Sequence, residues 1–194
     1  VELTGWSPFE PGDADNSSLP VAGLEYRFTN TGTKAVEAVF SFNARNFLPV
    51  PNGTQSVASQ AAGFMLCEAG PKDHPWDAAT FSVKVTDDKA KVNAVWFRGG
   101  WFDSLTMAWK DVQDGACFDR PAIKEGDASP GATVFVPFQL APGASKTVVV
   151  QLAWYAGQTN MRFGKDADTQ PKPPQPAYVP WYAGRFANID EVVK

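Results

Sequence analysis

Apolar and polar residues alternate in several short runs along the chain, which is the pattern of half-buried β-strands. Between Leu24 and Phe28 every second residue is apolar, and the alternation returns from Val36 to Phe42 after the turn-forming residues 30–33. A period of two places the apolar side chains on one face of a strand. The two runs therefore predict a hairpin-like pair of strands with a short loop between them.

Two further pairs of runs follow the same rule, each with a short turn between its members. The runs are 81–85 with 92–97, joined across Asp87 and Asp88, and 134–140 with 147–154, joined across Pro142 and Gly143. Pro137 interrupts one run and has no backbone N–H for a strand ladder, so we expect an edge strand or a bulge there. Short strands between frequent turns predict an all-β fold, a large antiparallel β-sandwich.

Only two segments show the apolar spacing of a helix. From Ser104 to Val112 apolar residues recur at intervals of three and four, with Ser104 as the expected N-cap and Gly115 just beyond the end. The spacing returns from Ile189 to Val193, where Asn188 and Glu191 resemble a capping box. We therefore expect one or two short helices beside the sheets.

Composition and charge narrow the class of protein. The chain has 194 residues, of which 44% are hydrophobic and 13% aromatic, so it can bury a core and is not a disordered chain. The net charge is -4 and no two Lys or Arg residues are adjacent, which argues against a nucleic-acid partner. No apolar run reaches the ~20 residues that a membrane span needs.

Few residues are candidates for catalysis. His74 is the only histidine and lies in a polar loop, so we predict an exposed residue rather than a catalytic base. Cys67 and Cys117 lack zinc-ligand spacing and are predicted to be free, partly buried thiols. Pairs of acidic residues occur in turns, where Asp bonds the local backbone; they are Asp13 with Asp15, Asp87 with Asp88, and Asp166 with Asp168. We assign no catalytic residue, no metal ligand and no cofactor.

A cluster of aromatic residues is the strongest candidate for binding. Exposed Trp rings stack well on sugars, so Trp96, Trp101 and Trp109 could form a carbohydrate-binding platform. The same side chains could instead fill the core or an interdomain contact, which is the interpretation we favour.

Several ordered pieces of the chain resemble the N-terminal domain of glycoside hydrolase family 116, the family of non-lysosomal glucosylceramidase and related bacterial β-glucosidases. The most specific pieces are Trp6-Ser7-Pro8-Phe9, Pro11-Gly12-Asp13, Ser17-Ser18-Leu19-Pro20-Val21, Glu25-Tyr26 and Phe28-Thr29-Asn30. Weaker agreement continues through 98–101, 131–137, 140–143, 152–154 and 182–193. The resemblance covers nearly the whole chain.

The resemblance implies a β-sandwich domain that precedes a catalytic (α/α)-barrel in the same polypeptide. We therefore expect a sandwich over 1–156, an extended Pro-rich connection packed on it over 157–182, and the start of a linker helix over 183–194. The family's catalytic carboxylates lie in the barrel and have no counterpart here. The contact with the barrel is expected to use four apolar residues near the linker helix, namely Trp181, Tyr182, Phe186 and Ile189.

The function that follows is that of a non-catalytic domain, which supports the barrel and its active-site loops in an enzyme acting on β-glucosides or related β-glycosides. Two alternatives stay open: a carbohydrate-binding module that uses exposed Trp faces, and a self-contained hydrolase that uses loop carboxylates. Residues 1–4 have neither the basic start nor the apolar stretch of a signal peptide, so we expect that any targeting segment has been removed. A periplasmic or secreted location is favoured if the source is bacterial.

Overall fold

Two antiparallel sheets that pack face to face form the body of the protein. The structure, a computed structural model, describes residues 1–161, 164 and 177–194. Within these residues nine strands occur: β1 Glu2–Trp6, β2 Val21–Thr29, β3 Val36–Arg45, β4 Gln55–Gln60, β5 Gly63–Glu68, β6 Ala79–Val85, β7 Lys91–Asn93, β8 Gly131–Leu140 and β9 Ser145–Tyr155. The predicted all-β sandwich is confirmed.

The larger sheet has the strand order β1-β2-β9-β6-β5-β4, and the smaller sheet has the order β3-β8-β7. Apolar side chains from both sheets meet between them, and the Phe28 ring of β2 lies 5.9 Å from the Phe40 ring of β3. The fully buried side chains at the centre are Phe64, Leu66, Val83, Val85, Val134, Val136, Val148 and Val150.

The three predicted strand pairs are not hairpins. β2 pairs with β1 and β9, whereas β3 pairs with β8, so the chain crosses from one sheet to the other between Thr29 and Val36. The chain crosses in the same way between β6 and β7 and between β8 and β9. Buried Asn30 holds the first crossing, because its Nδ2 donates to the carbonyls of Lys34 at 2.8 Å and Leu140 at 3.0 Å. The strands were predicted correctly, but their partners were not.

Three strands, β1, β4 and β5, lie outside the predicted runs, and one predicted strand is shorter than expected. β4 and β5 form a hairpin around Ala61 and Ala62. β5 is largely buried on both faces, so it shows no alternation, and β4 is a polar edge strand. The predicted strand 92–97 is reduced to β7, after which the chain leaves the ladder.

Pro137 lies where β8 has a strand partner on one side only. It pairs with Val39 of β3, while short β7 reaches no further along β8 than Phe135. The missing N–H of Pro137 therefore deprives no second neighbouring strand of a hydrogen bond. The predicted edge strand is therefore wrong, because β8 is the central strand of its sheet; the proline is tolerated because β7 ends before it.

Four short helices occur within the described residues: α1 Ala14–Ser17, α2 Ser104–Gln113, α3 Trp181–Arg185 and α4 Ile189–Val192. The N-cap of α2 is Asp103 rather than the predicted Ser104, because Asp103 Oδ1 accepts from the N–H groups of Leu105 and Thr106 at 2.9 Å each. Gly115 follows α2 with φ +63°, as its predicted position beyond the helix end requires.

The C-terminal helix begins at the predicted cap. Asn188 Oδ1 accepts from the N–H of Glu191 at 3.2 Å, and the Glu191 carboxylate accepts from Ala187 at 2.7 Å. α4 packs on β9 and β6 of the larger sheet.

Most of the predicted Pro-rich connection, together with Asp166 and Asp168, lies outside the described residues. Near its two ends, Thr159 and Tyr178 exchange two backbone hydrogen bonds of 2.8 and 2.7 Å. In the part of the chain that the structure describes, no helix is long and apolar enough to cross a bilayer.

Candidate functional site

The two ends of the sandwich differ in chemistry. One end carries the crossings 30–35, 86–90 and 141–144 and the turn 61–62, which contain no aromatic residue. The opposite end, where β3 and β9 finish and β8 begins, carries several exposed aromatic side chains. We call it the aromatic end and define it by Phe47, Trp101, Phe102, Trp154 and Trp181.

Local packing brings these side chains to the same end. Phe47 follows the last residue of β3 by two positions, and its ring meets the edge of Phe81 at 5.1 Å. Phe81 is the strand partner of Trp154 on β9. Trp101 and Phe102 precede Asp103, whose carboxylate interacts electrostatically with Arg45 at the end of β3.

An apolar pocket of about 310 Å³ opens at the aromatic end. It lies where the two sheets separate after β3 has ended. Its walls are formed by Phe47, Leu48, Ala79, Thr80, Phe81, Trp154, Tyr155 and Ala156.

The three Trp residues proposed for sugar binding occupy different environments. Trp96 is only 4% exposed and its Nε1 donates to Thr133 Oγ1 at 2.9 Å, so its ring is not available for stacking. Trp101 is 75% exposed and meets Phe97 edge to face. Trp109 is 61% exposed on α2 and lines a cleft whose wall also includes the buried Trp96. The structure does not bring the three rings together into one platform.

The four predicted contact residues also differ. Trp181 is exposed, while Tyr182 and Phe186 are half-buried. The Tyr182 hydroxyl accepts from the N–H of Ala156 at 3.1 Å and lies 3.2 Å from its carbonyl oxygen, which ties α3 to the end of β9. Ile189 is 7% exposed and belongs to the packing of α4 on the larger sheet. Of the four, Trp181 is the side chain most accessible to a partner.

Two acidic side chains of the predicted pairs, Asp13 and Asp87, have local partners. Asp13 caps α1 by accepting from the N–H of Asn16 at 2.8 Å. Burial raises the pKa of Asp87, but hydrogen bonds from Lys146 and from the N–H of Lys89 outweigh this effect, so its pKa lies below the usual value. In the described residues no three His, Cys, Asp or Glu side chains are grouped to hold a metal.

His74 and the two cysteines lie where they were predicted. His74 is exposed in a loop, with Nδ1 3.7 Å from the Asp77 carboxylate and its ring stacked on Trp76. Cys67 and Cys117 are free and partly buried. Burial raises the pKa of the Cys67 thiol, although hydrogen bonds from neighbouring side chains oppose the rise.

The cleft beside Trp109 contains residues that the sequence analysis did not single out. Ser41, Asn43 and Arg45 point outward from β3, opposite to the core-facing Phe40 and Phe42. The cleft has a volume of about 330 Å³, and α2 covers it with Leu105, Ala108, Trp109 and Val112. Ser41, Asn43 and Arg45 could have been found in the sequence as the polar residues that alternate with the apolar residues of β3.

Comparison with known proteins agrees with this architecture. Residues 1–194, the whole chain, match the family described as beta-glucosidase 2, glycosyl-hydrolase family 116 N-term. No curated protein matches the chain significantly. The chain therefore belongs to the family of N-terminal domains of glycosyl-hydrolase family 116, as its opening motifs indicate.

Proposed function

We propose that this domain is the non-catalytic partner of a catalytic barrel in the same β-glycoside hydrolase, and that it contacts the barrel through the aromatic end. Membership of the family implies a catalytic domain in the same polypeptide. The observation that carries the proposal is the concentration of exposed aromatic side chains at one end of the sandwich.

The size and type of these side chains favour a protein partner. Soluble domains seldom expose large contiguous apolar patches, and such patches mark interaction sites. Aromatic residues are also enriched at the centres of protein interfaces. The apolar pocket between Phe47 and Trp154 could receive an apolar side chain of the barrel.

The environment of the acidic residues supports a non-catalytic role. A retaining glycosidase needs two carboxyl groups about 5–5.5 Å apart on either side of the scissile bond. Here Asp13 and Asp103 cap helices, and Asp87 pairs with Lys146. Glu68 is buried and binds two backbone N–H groups. None of these four groups is available to a sugar in its present contacts.

A footprinting experiment tests the proposed contact. Trp side chains would be oxidised in the isolated domain and in the full-length enzyme, and the modified residues identified by mass spectrometry. We expect Trp101, Trp154 and Trp181 to be protected in the full-length enzyme. Equal oxidation in both proteins would contradict the proposal.

A binding experiment with matched variants complements it. Trp154→Ser should weaken association of the domain with the separately produced barrel, measured by calorimetry. Val36→Ser is the control, because Val36 is 46% exposed, similar to Trp154 at 42%, but lies at the opposite end. The isolated domain should not cleave aryl β-glucosides, and cleavage abolished by a single Asp or Glu substitution would overturn the non-catalytic role.

A further inference from the structure

A row of hydrogen bonds crosses the outer face of the smaller sheet beneath α2. Trp96 Nε1 donates to Thr133 Oγ1 at 2.9 Å, and the Thr133 hydroxyl donates to Asn43 Oδ1 at 2.7 Å. Because an indole N–H can only donate, the Thr133 proton is directed to Asn43. This fixes the Asn43 amide, whose Nδ2 donates to Ser41 Oγ at 3.1 Å.

The row ends in hydrogen-bond donors that face the cleft. Ser41 Oγ accepts from Asn43, so its own proton is free to bind another acceptor. Asn43 Nδ2 carries a second hydrogen beyond the one directed at Ser41. Arg45 lies next along β3 and, in the part of the chain that the structure describes, forms no ion pair within 4 Å, although the Asp103 carboxylate interacts with it electrostatically. The floor of the cleft therefore offers three neighbouring donor groups, of which Ser41 and Asn43 are held by the row of hydrogen bonds.

The wall opposite these donors is an aromatic face. Trp109 lines the cleft from α2 and remains 61% exposed, although Ala108 beside it is buried. A pyranose ring combines an apolar C–H face, which stacks on an indole ring, with hydroxyl oxygens at its rim, which accept hydrogen bonds. The cleft volume of about 330 Å³ is at the lower end of the range for small-ligand sites.

We propose that this cleft binds a pyranose unit of a neutral glycoside, with the ring against Trp109 and its hydroxyls bonded to Ser41, Asn43 and Arg45. A docked apolar protein surface fits less well, because it would remove water from these donors without replacing the hydrogen bonds. The site lies beside α2 and does not depend on the contact proposed for the aromatic end. It would hold substrate near the enzyme rather than cleave it.

Titration of the 194-residue domain with methyl β-D-glucopyranoside and with cellotetraose tests this site. Indole N–H and side-chain amide signals would be followed by ¹H–¹⁵N correlation spectra. We expect saturable shifts of the Trp109 indole and the Asn43 amide. Trp109→Ala should weaken binding about tenfold or more, since base–aromatic stacking on proteins is worth a comparable amount. Ser41→Ala should weaken it about threefold or more through one lost hydrogen bond.

Trp101→Ala is the matched control, because Trp101 is more exposed than Trp109 but lies outside the cleft. Its affinity should equal that of the wild type. Circular dichroism would show that each variant is folded, and Ser41→Ala tests the site if Trp109→Ala is not. Three results would overturn the proposal: no saturation by either sugar at about 50 mM, unchanged binding by the cleft variants, or protection of Trp109 in the sugar-free full-length enzyme.

Discussion

Glu68 joins two loops at one end of the larger sheet, and its removal should destabilise the domain. The side chain is 3% exposed, and its Oε1 accepts from the N–H of Thr54 at 2.7 Å and of Gly70 at 2.8 Å. Thr54 precedes β4 and Gly70 follows β5, so one carboxylate oxygen ties both ends of this hairpin. Glu68→Ala removes both contacts.

The expected cost follows from these two hydrogen bonds. A hydrogen bond to a charged group contributes about 1.5–3 kcal/mol. Thr54 is exposed, so water replaces part of its contact after truncation, and we expect a loss of about 3 kcal/mol in the free energy of unfolding. For a domain of this size each kcal/mol lowers Tm by about 2–4 °C, which gives a decrease of about 6–12 °C.

Two further substitutions distinguish the contribution of the two hydrogen bonds of Glu68 from that of its negative charge. Glu68→Gln keeps an oxygen that can accept from both N–H groups, so its loss should be about 1 kcal/mol. Gly53→Ala should also destabilise, because a Cβ at Gly53 would collide with the Glu68 carboxylate. Combining Gly53→Ala with Glu68→Ala relieves this collision, so the double variant should lose less stability than the sum of the single losses.

Urea and thermal unfolding, followed by circular dichroism and Trp fluorescence, measure these changes. Agreement of the two probes establishes two-state unfolding before free energies are compared. Equal losses for Glu68→Ala and Glu68→Gln would refute the reasoning, since the charge rather than the backbone contacts would then be responsible. Strict additivity with Gly53→Ala would refute the predicted close approach.

Four other substitutions have definite expected outcomes. Asp103→Ala should lower the free energy of unfolding through loss of the α2 cap, whereas Ser104→Ala should change it little, as urea titrations can measure. The pKa of the Asp87 carboxyl is lowered in the folded protein. Its ion pair with Lys146 therefore stabilises the fold above the unfolded pKa of about 3.9, and this contribution is lost as pH falls through the folded pKa. Asp87→Asn should consequently flatten the acid side of a Tm–pH profile. Cys67 should react with a thiol reagent more slowly in the native state than in denaturant, and Cys67→Ser should remove the slow phase.

The strands were predictable because alternation reports burial directly. In β2 and β3 the residues that face the core, such as Phe28 and Phe40, are those that alternation selects. Alternation does not report the partner of a strand, however. A short loop between two such strands is compatible with a hairpin in one sheet or a crossing between two sheets. The buried amide of Asn30 decides for the crossing, and its role depends on the carbonyl of Leu140, 110 residues away.

The environments of the candidate binding residues could not be predicted from the sequence either. Trp96 and Trp109 look alike in the sequence and line the same cleft, yet Trp96 is buried against Thr133 whereas Trp109 is exposed on α2. The difference arises from the long loop between β7 and β8, which folds back over the smaller sheet. Ser41 and Asn43 gain their importance only when α2 covers them, which no local pattern in β3 predicts.

The crossings between the sheets also set the order in which the chain can fold during synthesis. β2 can pair with β1 as soon as it is made, but its pairing with β9 must wait for the end of the domain. β3 has β8 as its only partner in the smaller sheet and leaves the ribosome long before β8 exists. The meander β4-β5-β6 is the longest set of strands whose sequence neighbours are also their partners. It can form first, while β3 remains an unpaired strand with an apolar face. Such late pairing slows folding and prolongs exposure to aggregation, so expression of this domain should benefit from a chaperone that binds extended apolar segments.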